Sequence, residues 1–179
     1  MSNPSTHALI SIILIEIFRE YYVKKKEDFP RYYVLIGAIA GILPDLDFIA
    51  YFILYSYGYT LEQLHRTFLH SIFFILILTI IGIIILKLKF NFEFLDKKNI
   101  QLSYIFIIFA IASFIHVLFD MFNGGVMFFY PISHILIGTD LILLLPQEIN
   151  WSISYLIDTF LLFFWLCWME FKLKINRYF

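Results

Sequence analysis

Imidazole and carboxylate groups in this sequence are spaced as metal ligands would be. His116 and Asp120 are four residues apart in an apolar stretch, so on a helix both side chains leave the same face, one turn apart. Asp45 and Asp47 follow Pro44, where a helix break would let both carboxylates turn towards one ion, or let one of them bridge two ions. Because two carboxylates in a low dielectric repel each other without a cation between them, these pairs predict a metal site.

Three further histidines extend the candidate site. His65 and His70 are five residues apart, so both would face inward only at a transition from loop to helix, and His7 begins the first apolar stretch. Imidazole together with carboxylate suits zinc, manganese or iron better than calcium or magnesium. The predicted ligands are His7, Asp45, Asp47, His65, His70, His116 and Asp120. Since a catalytic zinc usually takes about three protein ligands, this set predicts two or more ions, with zinc preferred.

Each of these residues also has a structural interpretation. Asp45 would be an N-cap if a helix restarted just after Pro44. His116 and Asp120 would be a buried hydrogen-bonded pair that joins two helices. His7 alone would be an interfacial residue, and the Arg66 side chain would extend to lipid head groups. Only the convergence of all these residues on one place favours the metal site over these alternatives.

The composition indicates that lipid surrounds most of the chain. Hydrophobic residues make up 61% of the 179 residues, and 22 of them are phenylalanine, whereas soluble domains contain roughly 45–50% apolar residues. We therefore expect an all-α, polytopic integral membrane bundle, with residues 1–179 forming a single domain. The net charge of −1 excludes a strongly basic nucleic-acid-binding protein.

Apolar stretches locate the helices. Residues 68–90, 101–122 and 151–172 each reach the roughly 20 residues that a membrane span requires. Residues 8–23 are shorter, and residues 32–57 are interrupted at Pro44. For residues 128–146 we expect a loop followed by a short or re-entrant helix. The prediction is about four to five transmembrane helices plus this short one.

Basic residues give the orientation, because Lys and Arg favour the cytoplasmic ends of short loops. They form three clusters: Arg19, Lys24, Lys25, Lys26 and Arg31; Lys87, Lys89, Lys97 and Lys98; and Lys172, Lys174 and Arg177. Placing all three clusters inside a cell membrane puts the C-terminus in the cytoplasm. The N-terminus and every candidate ligand then lie at the outer, extracytoplasmic end, although the ligands were not used to choose the orientation.

The ordered blocks of the sequence resemble a known family. They are Thr6-His7, residues 41–47 (Gly-Ile-Leu-Pro-Asp-Leu-Asp), residues 65–71 (His-Arg-Thr-Phe-Leu-His-Ser), residues 116–120 (His-Val-Leu-Phe-Asp) and Tyr130-Pro131. This series, over about residues 6–131, resembles the YdjM-type family of membrane-bound metal-dependent hydrolases. The resemblance implies a metal site built from the seven ligands above. It also implies a distant similarity to the zinc phospholipase C and single-strand nuclease superfamily, hence phosphoester hydrolysis. The chain departs from the family pattern at residues 123–125 (Asn-Gly-Gly).

A hydrolase of this kind would act on a lipid or lipid-linked phosphate at the outer membrane interface. Asp45 or Asp47 would bridge the metal ions beside the attacking water, and Arg66 would bind the phosphate and stabilise charge in the transition state. The alternatives are a metal transporter, or another membrane protein that binds metal without hydrolysis. His134 and Asp140, in the segment 128–146, are second candidates for the site.

Overall fold

The computed structural model describes residues 3–88, 101–139, 141 and 147–174, and these residues fold as helices joined by turns and loops. The helices are α1 (Pro4–Tyr21), α2 (Tyr32–Ile42), α3 (Asp47–Leu54), α4 (Leu61–Leu64), α5 (Ile72–Leu88), α6 (Leu102–Met121) and α7 (Gln147–Leu173). Short 3-10 turns occur at Lys26–Asp28, Leu43–Leu46, Tyr55–Tyr57 and Phe68–His70. Within these ranges no β-strand occurs, only an isolated bridge between Val126 and Ile137. The all-α prediction is confirmed.

Helix α6 is central to the packing. It contacts α1, α2 and α5, while α2 and α7 both pack on α1. One apolar core lies among α1, α2 and α6 and includes Ile15, Tyr33 and Ala112. A second lies between α5 and α6, where Ile75 and Val117 pack. The second core extends to the loop after α6, so it supports the end of the bundle where the candidate ligands lie.

Two helical stretches among the described residues are long and apolar enough to cross a membrane. They are Tyr32–Tyr57, with 26 residues, and Leu102–Met121, with 20 residues. Helix α5 is apolar but shorter, with 17 residues. These stretches agree with the predicted spans at 32–57 and 101–122. The total of four to five spans stays a prediction.

The helix break at Pro44 differs from the expectation in one respect. Helix α2 ends at Ile42 as predicted, but the 3-10 turn Leu43–Leu46 continues the chain directly into α3, which begins at Asp47. The N-cap of α3 is Leu46, and no side chain caps it. The N-cap interpretation of Asp45 is therefore wrong. Because the turn is helical, it directs the Asp45 carboxylate towards the other candidate ligands instead.

The segment after α6 also departs from the prediction. Where the structure describes it, from residue 128 to residue 139, the segment contains no helix. It doubles back instead, because the backbone groups of Val126 and Ile137 bond to each other at 2.9 and 3.0 Å. The expected short or re-entrant helix is therefore absent from this part. Asp140 and residues 142–146 lie outside the described residues, as do residues 89–100 with Lys89, Lys97 and Lys98, and residues 175–179 with Arg177.

Candidate metal centre

The candidate ligands lie together at one end of the bundle, on four different elements. His7 is in the first turn of α1, and Asp45 and Asp47 follow α2. His65 and His70 precede α5, and the last two turns of α6 provide the remaining pair, His116 and Asp120. Except for Asp45, which is half-buried, all of these side chains are buried. The fold thus brings all seven predicted residues together in one cluster.

Four donor atoms of this cluster form a compact group. His70 Nε2 lies 3.1 Å from His116 Nε2, 3.4 Å from Asp120 Oδ2 and 3.7 Å from Asp45 Oδ1. His116 Nε2 lies 3.5 Å from each of the same two carboxylate oxygens. All four atoms fall within 4.8 Å of one another. We call these four residues the tetrahedral group.

The edges of this group fit a small tetrahedral ion. Five of the six distances between the four atoms are 3.1–3.7 Å, and the sixth is at most 4.8 Å. A regular tetrahedron with an edge of about 3.4 Å has its centre about 2.1 Å from each corner, close to the roughly 2.0–2.2 Å of Zn–N and Zn–O bonds. Two imidazole nitrogens and two carboxylate oxygens are also a donor set that zinc, manganese or iron accepts. The residues present therefore fit a divalent transition metal.

The orientation of His116 leaves its Nε2 available as a metal ligand. Its Nδ1 lies 2.8 Å from the carbonyl oxygen of Gly41. Since a carbonyl can only accept, Nδ1 must carry the proton, and the neutral ring then presents a lone pair at Nε2. A backbone carbonyl that fixes the tautomer in this way is a common partner of metal-binding histidines.

Close packing of α1 on α2 places Gly41 and His7 beside each other. A Cβ atom on Gly41 would lie 2.5 Å from Ser11 Oγ and 2.6 Å from the His7 carbonyl oxygen, so only glycine fits here. The approach brings the His7 ring onto the His116 ring, with centroids 3.7 Å apart, and places His7 Nε2 3.4 Å from Asp120 Oδ1. His7 thus contacts the second oxygen of Asp120 and lies outside the tetrahedral group.

A second possible group shares His70. Asp47 Oδ1 lies 2.9 Å from His65 Nδ1. Asp47 Oδ2 lies 3.2 Å from His70 Nδ1, but these two atoms do not form a hydrogen bond. These three residues also have donor atoms close enough for a metal ion. The two nitrogens of His70 therefore face two different groups: Nε2 faces the tetrahedral group and Nδ1 faces Asp47. A carboxylate behind a ligating histidine is a frequent arrangement in zinc sites.

The net negative charge of the cluster matches that of one divalent cation. Asp45, Asp47 and Asp120 contribute three negative charges if ionised, and Arg66 contributes one positive charge, its Nε lying 3.7 Å from Asp120 Oδ2. With neutral imidazoles, two negative charges remain in a buried site, which is costly without a counter-ion. One divalent ion would neutralise them.

Arg66 holds the loop after α6 against the cluster. Its two terminal nitrogens donate to the carbonyl oxygens of Gly125 at 3.1 Å and Asn123 at 3.2 Å, while its backbone N–H donates to Asp47 Oδ2 at 3.0 Å. The backbone φ of Arg66 is 61°, which is uncommon for a residue other than glycine. Arg66 is therefore bound to protein groups, and among the described residues its Nε–H and the second hydrogen of each terminal nitrogen have no hydrogen-bond partner.

Comparison with known proteins supports the resemblance found in the sequence. Residues 1–178 match the model of the YdjM inner membrane protein family. The chain belongs to this family. Comparison with curated proteins and with solved structures finds no match. The family assignment covers the whole cluster and agrees with the ordered blocks, while the relation to the zinc phospholipase C superfamily stays a prediction.

His134 and Asp140 were the second candidates for the site of this YdjM-family chain. Of these two, the structure describes His134. It is exposed and contacts the Tyr130 ring at 5.3 Å between centroids, and it does not belong to either group of possible metal ligands. It lines a cavity beside the cluster, together with His65 and Arg66. His134 is therefore placed next to the site rather than in it.

The sequence analysis missed Asp158. This residue of α7 accepts hydrogen bonds from Asn3 Nδ2 at 2.9 Å, from Ser5 Oγ at 2.6 Å and from Thr6 Oγ1. It therefore fixes the first turn of α1, next to His7. Its partners are more than 150 positions away, so spacing gave no sign of the contact. The available signal was a lone aspartate in an apolar stretch, which is costly unless it is paired.

Replacing Asp158 with asparagine should loosen the first turn of α1. The amide weakens three hydrogen bonds to a carboxylate, so we expect the free energy of unfolding to fall by about 1–2 kcal/mol. Metal affinity should fall several-fold, because His7 follows Thr6 directly. Denaturation in detergent and competitive metal titration would measure the two effects. Asp28→Asn, at an exposed position, is the matched control; equal behaviour of the two variants would show that Asp158 does not support the site.

Proposed function

We propose that this protein is a membrane-embedded metal-dependent hydrolase that cleaves a phosphoester in a lipid or lipid-linked phosphate. The observation that carries the proposal is the tetrahedral group, which lies beside a cavity of about 840 Å³ lined by His65 and Arg66. A buried metal site with an adjoining cavity has room for a substrate next to the ion.

Each residue of the cluster has a role under this proposal. Asp45, His70, His116 and Asp120 would hold one divalent ion, with zinc as the preferred metal. When bound, such an ion acts as a Lewis acid and lowers the pKa of a water ligand. Asp47 orients His70 and His65, and His7 contacts Asp120 from the opposite side. Arg66 offers its remaining N–H groups to the phosphate and keeps positive charge beside the reaction.

One ion suits this geometry better than the two or more expected from the sequence. A second ion bound by Asp47, His65 and His70 would require both nitrogens of the His70 ring to act as ligands. Keeping Asp47 as the carboxylate behind His70 Nδ1, at 3.2 Å, needs no such ring anion. Metal analysis of the purified protein decides between one ion and two. A content of two ions per chain would support the two-ion arrangement.

The membrane topology is part of the proposal. The described basic residues in the loop after α1, together with Lys87 at the end of α5, belong to the opposite end of the helices from the cluster. Placing the basic end in the cytoplasm gives four to five spans, a cytoplasmic C-terminus and a site at the outer membrane interface. A cysteine reporter at Lys25 that reacts from outside the cell would contradict this orientation.

A metal-binding membrane protein without hydrolytic activity is the second candidate. The feature that favours it is the complete set of four protein donors, since structural zinc sites are usually closed and catalytic sites keep one position open. Asp45 provides the counter-argument. Its side chain is 12% exposed, whereas the other three ligands are 0–4% exposed. Asp45 is thus the ligand that a substrate or water would displace most easily.

Turnover separates the two candidates. Zinc-loaded protein in detergent would be assayed on phosphate mono- and diesters and on short-chain phospholipids, beside the His70→Ala variant as a blank. Hydrolysis by the wild type that is lost in the variant supports the hydrolase. Stoichiometric metal with no hydrolysis of any phosphoester would move the assignment to the metal-binding protein.

Arg66→Lys tests the role given to the arginine. Lysine keeps the charge and meets the same cost at positive φ, but its single ammonium cannot donate to two loop carbonyls and a phosphate in the arginine's fork geometry. We expect kcat/KM to fall by a factor of about 100, the range seen when a transition-state donor is removed. Zinc content should be unchanged. Full activity in this variant would exclude Arg66 from the reaction.

A further inference from the structure

The cavity beside the cluster has two walls. One is the segment from Thr60 to Thr67, which leads into α5, and the other is the loop after α6, from Gly124 to Leu136. A hydrogen bond joins the walls, since Met127 N donates to Arg66 O at 3.2 Å, and Ile72 N at the start of α5 donates to Phe128 O of the loop at 2.9 Å. The cavity therefore has a defined shape that does not depend on a bound molecule.

The chemistry of the lining favours an anion. Arg66, His65 and His134 contribute nitrogen donors, and no carboxylate occurs among the lining side chains that the structure places. Guanidinium and imidazole groups are suited to phosphate oxygens, which accept several hydrogen bonds. Since Arg66 also lies 3.7 Å from Asp120 of the tetrahedral group, a phosphate at this wall would lie next to the metal.

The rest of the lining favours hydroxyl groups over a cationic head group. Thr60, Gln63 and Tyr130 supply hydroxyl and amide groups that both donate and accept. Gln63 Oε1 accepts from Thr60 N at 2.9 Å, so this wall is itself ordered. A quaternary ammonium would instead need a carboxylate or a cage of several aromatic rings. The described lining provides one tyrosine and two histidines.

The edge of the cavity indicates that its occupant is a lipid. The loop after α6 exposes several apolar side chains, with Ile132 at 79% and Ile135 at 71% exposure and Leu136 directly in the lining. Exposed apolar side chains are typical of surfaces that contact a protein or a membrane, and in an inner membrane protein family the membrane is the nearer partner. Acyl chains would remain in the bilayer beside this loop while the head group enters the cavity.

From these observations we infer that the cavity binds the head group of an anionic, hydroxyl-bearing phospholipid of the phosphatidylglycerol type, with Tyr130 and His134 as determinants of specificity. The inference rests on the proposed function and names the substrate class of the same site. The volume of about 840 Å³ is within the range of small-molecule sites.

Binding, rather than turnover, tests the inference. Dihexanoyl phosphatidylglycerol, dihexanoyl phosphatidylcholine and inorganic phosphate would each be titrated into zinc-loaded protein in detergent and followed by calorimetry. We expect the glycerol lipid to bind about ten times more tightly than either of the others, as one or two additional hydrogen bonds would give. Equal affinities for the two lipids would overturn the specificity, and equal affinity for phosphate would overturn the lipid as occupant.

Two variants locate the binding. His134→Ala and Tyr130→Phe should each weaken phosphatidylglycerol binding about fivefold, because each removes one polar contact. Tyr57→Phe, at an exposed tyrosine outside the lining, is the matched control and should bind as the wild type does. Unchanged binding in both cavity variants would overturn the inference, even if the protein hydrolyses phosphoesters. Loss of binding in both, in a protein that hydrolyses nothing, would support the cavity and contradict the proposed function.

Discussion

Purified His70→Ala protein is expected to contain almost no bound transition metal, whereas the wild type retains close to one ion per chain. His70 has no exposed surface, and its Nε2 faces three of the other donor atoms of the cluster. Removing a single outer partner of a metal ligand typically costs 10–100-fold in affinity, so loss of a ligand itself should cost at least about 100-fold. Metal analysis by mass spectrometry, after removal of loosely bound ions, measures the difference.

His134→Ala is the matched control for this experiment. It removes a histidine from the same end of the molecule, but one that is exposed and outside both ligand groups. Because His70→Ala also leaves a cavity in a buried site, Asp120→Asn provides a second variant of nearly unchanged shape. Retention of wild-type metal content by both His70→Ala and Asp120→Asn would rule out the tetrahedral group as the binding site.

Gly41→Ala is expected to cause the second large effect. The added methyl group would meet Ser11 Oγ at 2.5 Å and the His7 carbonyl oxygen at 2.6 Å, so α1 must move away from α2. Overpacking of this kind costs about 1–3 kcal/mol of unfolding free energy. The metal affinity should fall as well, because the Gly41 carbonyl orients His116 and the displaced helix holds His7.

Gly37→Ala is the control for the close packing. It lies one turn earlier on the same face of α2, but its added Cβ would meet the flexible Ile15 side chain at 3.0 Å. The loss of unfolding free energy should be smaller than for Gly41→Ala, and the metal affinity should not change. Denaturant titration in detergent compares the two variants. If Gly37→Ala reduced metal binding as much as Gly41→Ala, helix packing in general, rather than the position of His7 and His116, would explain the effect.

Local spacing and the positions of the basic residues predicted which residues lie near each other. The separation of four residues between His116 and Asp120 places both on one face of α6, and the clusters of Lys and Arg indicated that all the candidate ligands lie at the same end of the bundle. The break at Pro44 was also visible, because proline ends a helix from its own chemistry. These predictions depend on residue types and their spacing along the chain, which can be seen in the sequence itself.

Contacts between distant elements could not be predicted in the same way. Nothing local shows that Asp47 binds His65 and the Arg66 backbone while Asp45 faces the tetrahedral group. That division depends on the 3-10 turn at Leu43–Leu46, which continues the chain directly into α3. Similarly, the binding of Arg66 to two loop carbonyls depends on its positive φ, which sequence patterns do not reveal.

X-ray absorption at the zinc edge of wild-type protein loaded with one zinc per chain tests the central claim most directly. The tetrahedral group predicts four nitrogen and oxygen neighbours at about 2.0–2.1 Å. It also predicts the outer-shell scattering of two imidazole rings, from His70 and His116. Failure to retain zinc, or a shell of six oxygens without imidazole scattering, would contradict the metal centre described for this chain.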